Sequence, residues 1–125
     1  MHIQEVYIPV TRTNPVTATI FFFSNENNPQ PWEIPAHTKI RMDIRKGPDF
    51  TAQLIKSLSS DNTPVEIQAI EHEGVISAIW FDAGPLPVME PKFYADIMII
   101  NEVESPHPQR IAKIVFVSDT NITKI

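Results

Sequence analysis

Asp43, Asp82 and Asp96 come nearest to a catalytic set in this chain, each lying in or beside a segment of alternating apolar residues. Two acids facing each other across a cleft are the equipment of glycoside hydrolysis, one as proton donor and the other as base or nucleophile. A chain with fifteen acidic residues offers such a trio by chance, however, and no substrate follows from it. His2, His37, His72 and His107 are far apart in sequence and lack the spacing of a zinc site. Glu71-His72-Glu73-Gly74 gathers three ligand types, but polar residues beside a glycine fit the tip of a hairpin better. No cysteine is present, which excludes thiol and thiolate chemistry. Gly47, Gly74 and Gly84 stand alone, so no phosphate-cradling loop is formed, and no serine has a nucleophile-elbow context. This inventory is that of a protein without catalysis, cofactor or metal. The aromatics offer one alternative: Trp32, Trp80 or Tyr94 as stacking platforms for a sugar, which would make the chain a carbohydrate-binding module.

The elements that would position these residues are strands. Between Lys39 and Arg45, Ile40, Met42 and Ile44 alternate with Lys39, Arg41, Asp43 and Arg45, the period of a half-buried antiparallel strand. His2 to Pro9 and Thr17 to Phe23 are rich in β-branched and aromatic residues. Phe50 to Leu58 reads as a further strand, and Thr51 to Leu58 is the only stretch with a helical alternative. Residues 59–64 are a turn, and Val65 to Ala69 with Val75 to Phe81 form a hairpin around the Glu-His-Glu-Gly tip. Asp82 to Pro91 holds three prolines and a glycine and is expected to be a crossing loop. Lys92 to Val103 is a strand, Glu102 to Pro108 a loop, Arg110 to Val117 a last long strand, and Ser118 to Ile125 a final segment. Short strands with turn signals about every ten residues predict an all-β, antiparallel sandwich of about seven or eight strands in one domain, residues 1–125.

Length and charge narrow the partners. A chain of 125 residues can bury about two-thirds of its unfolded surface, enough to fold without metal or disulfide staples. The net charge of -5 and the scattering of its ten Lys and Arg argue against a nucleic-acid backbone as ligand. No apolar run reaches the length of a membrane span, and the first ten residues lack the pattern of a secretory signal, so folding in the cytosol is expected.

One feature exceeds what a solitary sandwich requires. In Lys92 to Val103 the row Phe93, Ala95, Ile97 and Ile99 completes a core face, yet the opposite row carries Tyr94, Met98 and Ile100 around Asp96. Phe21, Phe23 and the Ile76 to Trp80 segment show the same excess. Either the proline-rich segment around Trp32 folds over the outer row, or another subunit covers it, and short sandwiches rarely have loop enough for the first. Trp32, Tyr94, Met98, Ile100, Phe21 and Phe23 are therefore the candidate interface residues. Asp96 is read as structural, facing solvent or pairing with Arg41 or Arg45 on a neighbouring strand.

The C-terminal half, PKFYADIMIINEV, a polar loop and RIAKIVFVSDTNIT, resembles the ending of the domain found at the N-terminus of phage baseplate upper proteins and in related tail proteins. Tyr94, Asp96, Val115, Val117 and Thr123 fall on that domain's strand positions, and Trp32-Glu33-Ile34-Pro35 followed by Lys39 to Lys46 is similar to its loop and following strand. The likeness spans roughly residues 30 to 123; VTRTNPVTATI departs from it by lacking the Gly-Asp turn after the first strand. The resemblance implies an immunoglobulin-like sandwich acting in a virion as an attachment or assembly module, partnered by itself and other virion proteins and without catalysis. Contact with a host glycan is the expectation of the carbohydrate alternative.

Overall fold

Met42 and Ile44 are fully buried while Lys39 and Arg41 stand in solvent, so alternation in this strand sorts its side chains between a core and an outer face. Eight strands repeat the pattern: β1 (Gln4–Val10), β2 (Pro15–Phe21), β3 (Thr38–Arg45), β4 (Leu54–Ser59), β5 (Ile67–His72), β6 (Val75–Pro85), β7 (Lys92–Asn101) and β8 (Ser105–Ser118). The computed structural model describes residues 3–11, 14–24, 30–35, 38–86, 91–101 and 105–118, and no helix occurs among them.

The strands form two sheets, β1-β8-β7-β3-β4 and β2-β6-β5. Neighbours within each sheet are antiparallel except β1 and β8, which run parallel from Gln4 opposite Ala112 to Val10 opposite Ser118. The order β8-β7-β3-β4 facing β2-β6-β5 reproduces the G-F-C-C′ and B-E-D sheets of the immunoglobulin fold. β1 adds a fifth strand beside β8. The expected sandwich is present, with one parallel pair in an otherwise antiparallel arrangement.

Between the sheets lies one apolar core. β7 contributes Phe93, Ala95, Ile97 and Ile99, β8 contributes Ala112, Ile114 and Phe116, and β6 contributes Ile79, Phe81 and Ala83. Phe81 meets Phe116 edge to face at 6.3 Å between ring centroids, a favourable geometry for two aromatic quadrupoles. On the facing edge of the larger sheet, Lys56 Nζ donates to the Ala83 carbonyl of β6 at 2.8 Å, so a β4 side chain is tied to the other sheet.

Local chemistry accounts for the turns and irregularities. Glu73 and Gly74 join β5 to β6 with φ of 52° and 84°, and positive φ at both central residues is the two-residue turn whose twist suits a hairpin. Asp82 to Pro91, read from its Gly and Pro as a loop, instead begins as strand. β6 continues to Pro85 because Gly84, at φ 67°, lets Ala83 be accommodated as an extra residue between Val16 and Thr17 of β2. Residues 87–90 lie outside the described residues. Likewise β8 begins at Ser105, inside the expected Glu102 to Pro108 loop. Strand structure in Phe50 to Leu58 starts only at Leu54, after a turn in which Ala52 donates its N–H to the Asp49 carbonyl, and the helical alternative is not adopted. Of the final segment, only Ser118 is described.

Candidate interface faces

On the outer face of the five-stranded sheet, strand register sets the residues in cross-strand rows. One runs Tyr7, Val115, Tyr94, Arg45; the next runs Glu5, Lys113, Asp96, Asp43, Ser57; a third includes Arg110, Met98, Arg41, Ser59. Tyr94, Asp96, Met98 and Ile100 all point outward and are half-buried. Neighbouring side chains of the sheet shelter them partly, and they are not enclosed.

The charges in these rows are interlocked. Asp43, nearly buried, accepts hydrogen bonds from Arg41 Nε at 2.9 Å and Ser57 Oγ at 2.7 Å, with Arg45 Nη2 3.6 Å from its second oxygen. Arg45 also donates to the Ala52 carbonyl. Asp96 is paired with Arg110 at 3.1 Å. The expected partners of Asp96, Arg41 and Arg45, thus belong to Asp43. Asp43 stands directly opposite Asp96 and lies two residues from each arginine on its own strand, so it reaches both guanidinium groups first. Asp96 takes its partner from β8 instead.

Tyr7 was not singled out by its sequence. It is 62% exposed at the sheet edge, and its hydroxyl donates to Glu5 at 3.1 Å. That hydrogen bond, the Glu5 negative charge, slight desolvation and the nearby Tyr94 together hold its phenol above the usual tyrosine range. The alternation of QEVYIPV is the signal that places Glu5 and Tyr7 on one face.

The outer face of the three-stranded sheet is different in kind. Phe21 of β2, Ala78 of β6 and Ile70 of β5 form one row, and Thr19, Trp80 and Gln68 the next. Phe21 lies across Ala78 to meet His72 of β5 at 4.5 Å between ring centroids, which accounts for an outward alanine with no exposed surface. Phe21 remains 41% exposed and Ile76 48%, with half-buried Ile70 and Trp80 beside them.

The sequence-derived residues divide accordingly. Tyr94, Met98 and Ile100 share the larger face with Asp96, Arg41 and Arg45, whereas Phe21 and Trp80 belong to the smaller one. Phe23 forms an isolated bridge with Pro31 and is half-buried. Trp32 does not cover the β7 row. Its N–H donates to the Phe22 carbonyl and its ring meets Phe22 at 6.3 Å, while Ile34 N–H donates to Ile76, so residues 30–35 follow the start of β6 and seal the core there.

The acid trio is only partly assembled. Asp43 and Asp96 are neighbours, but both are engaged by arginine, and Asp82 lies on the other sheet, exposed and accepting the Gly84 N–H. His107 is exposed in β8; His2, His37 and Thr123 lie outside the described residues. Among the described residues no three His, Asp or Glu side chains are grouped as metal ligands. A hollow of about 160 Å³ beside the β1–β2 corner is lined by residues including Ile8, Val10, Asn14 and Val16, and among the described residues it holds no acid, base or nucleophile other than hydroxyls.

No protein-family profile and no curated protein matches this chain.

Proposed function

We propose that the chain is a non-enzymatic structural protein of a phage particle, an immunoglobulin-like module that assembles with other virion proteins through its outer sheet faces. The observation that carries this reading is the apolar surface left on the outside of a sandwich whose core is already complete: Phe21 and Ile76 on one sheet, Tyr94, Met98 and Ile100 on the other. Apolar side chains left outside a finished core support a protein–protein contact there. The likeness of Tyr94, Asp96, Val115 and Val117 to the phage tail domain supplies the setting, which is the virion. Mass spectrometry of purified particles, with the chain's own antibody as a second probe, is expected to find it as a stoichiometric component. Its absence from particles would remove the proposal.

A carbohydrate-binding role has one observation in its favour: Tyr7 and Tyr94 flank Val115 in a single outward row, with Glu5 and Lys113 alongside. Aromatic faces in a flat polar setting suit a sugar ring. Host-surface glycans on an array are the test; no binding, or binding unchanged by Tyr7→Ala, disposes of it.

A further inference from the structure

Charge is segregated between the two sheets. The three strands of the smaller sheet, PVTATIF, IQAIEH and VISAIWFDAGP, contain Glu71 and Asp82 and not one Lys or Arg. The five strands of the larger sheet hold seven of the chain's ten Lys and Arg against three acids, Glu5, Asp43 and Asp96. On the outer face of that sheet, Arg41 and Arg110 each direct Nε to an aspartate and flank Met98, while Lys113 stands between Glu5 and Asp96. Lys56 turns inward to the Ala83 carbonyl and Lys39 pairs with Asp61, so the surplus of cations on the outer face around Tyr94 and Met98 is modest. The strands behind it bring Glu71, Asp82 and His72, and no Lys or Arg, to the face around Phe21 and Ile76.

We infer that the occupant of each face is a second copy of this chain, joined head to tail, the small-sheet face of one copy seated on the large-sheet face of the next. This rests on the assembly reading and names its partner. Charge decides between the possible pairings. Small face on small face would bring Glu71 and Asp82 of both copies together without a Lys or Arg from these strands, and large face on large face would join two faces that each carry a surplus of cations; the mixed pairing sets net negative against net positive charge while burying both apolar rows. Like charges brought together in this way disfavour a contact, and opposite ones steer and register it.

Two different surfaces make the contact heterologous, so it propagates, closing into a ring or continuing as a filament. The three-stranded face is about 15 Å wide at ~4.8 Å per strand and about 20–25 Å long at ~3.3 Å per residue. The product, roughly 300–375 Å² per partner, falls below the ~800 Å² per partner of a standard interface, so single contacts are weak and concentration-dependent and the assembly depends on their repetition.

The experiment uses the full chain and two surface variants whose folding is first checked by circular dichroism and urea midpoint. Phe21→Lys with Ile76→Lys spoils the small face; Tyr7→Glu with Arg110→Glu spoils the large face at side chains half exposed or more. At low salt the unaltered chain gains average mass with concentration in sedimentation equilibrium, and association falls at least about tenfold as salt shortens the Debye length from about 30 to about 3 Å. Each variant alone is monomeric, and an equimolar mixture gives a one-to-one dimer and nothing larger, because each supplies the face the other lacks. Arg110→Gln, a milder change, weakens association without abolishing it. A large-face variant that still dimerises by itself, or a mixture that stays monomeric while the unaltered chain associates, overturns the head-to-tail contact. An unaltered chain that stays monomeric at millimolar concentration and low salt overturns self-pairing altogether. The assembly reading then stands or falls separately, on whether the chain is found in particles.

Discussion

Asp43 and Asp96 face each other across β3 and β7, and the structure assigns them unequal weights. The side chain of Asp43 is 9% exposed, accepts two hydrogen bonds and lies near a third donor, on Arg45. Asp96 is 19% exposed and has one arginine, itself half exposed. Truncating Asp43 to Ala loses the Ser57 bond, about 1 kcal/mol, and the Arg41 contact, at most about 1 kcal/mol because that guanidinium is half exposed and rehydrates. It also leaves the sheltered Arg45 without its counter-charge, which adds up to about 1 kcal/mol after discounting for the bond Arg45 keeps with Ala52. The expected loss for Asp43→Ala is therefore about 2–3 kcal/mol, against about 0.5–1 kcal/mol for Asp96→Ala. In a domain of this size each kcal/mol moves the melting temperature by about 4 °C, so the two variants should melt about 10 °C and about 3 °C below the parent. Asp43→Asn, which keeps shape and an acceptor oxygen but not the charge, should lose about half as much as the alanine, since charge-assisted bonds are about twice as strong as neutral ones. Urea unfolding followed by tryptophan fluorescence, with calorimetry alongside, measures all three. Equal losses for Asp43→Ala and Asp96→Ala would refute the reasoning that burial and partner number set the difference, and a neutral Asp43→Ala would refute the network itself.

Other expectations follow from single sites. Phe81→Ala removes a fully buried ring and its contact with Phe116, and is expected to cost about 3–5 kcal/mol in urea midpoint analysis. At the β5–β6 turn, Glu73→Asn should gain about 0.5–1 kcal/mol, because asparagine tolerates the left-handed backbone at φ 52° better than glutamate. Gly74→Ala should instead lose about 1–2 kcal/mol through its φ of 84° alone, since nothing within 4 Å would meet the new methyl. Tyr7 has its phenol pKa raised, chiefly by the Glu5 hydrogen bond and charge, so whatever stability that contact lends is complete below the ordinary tyrosine range and is lost as pH rises through the raised value. Phenolate absorbance titration should show the Tyr7 step moving to lower pH in Glu5→Gln, and an unmoved step would contradict the assignment.

The fold was legible where one face of a strand is core and the other is not. In β3 and β7 the period of two is unbroken, so both position and facing could be read from the residues alone. Proline and glycine misled at β6 and β8 for identifiable reasons. Pro106 and Pro108 precede Ala112, where β1 first pairs with β8, so among the described residues that side of the strand has no neighbour whose hydrogen bonds proline would break. Gly84 marks a bulge and not an end, a distinction that only the partner strand can supply. The outward apolar rows were visible as an excess of hydrophobic residues, but their division between two faces was not, because it depends on which strands share a sheet. The same ignorance of register misassigned the partner of Asp96: neither Asp43 as its neighbour nor Arg110 as its counter-ion can be deduced without knowing how β3, β7 and β8 align. Trp32 offered no sequence signal for the direction in which its segment turns.

The parallel pairing of β1 with β8 bears on mechanical behaviour. Tension applied through the chain before Gln4 and after Ser118 would draw these strands in opposite directions along their common axis. Their rungs would then be loaded together in shear, not peeled apart singly as in a hairpin pulled from its open end. A domain held in this way resists stretching most strongly along the line joining its two attachment points, and yields suddenly once that ladder slips.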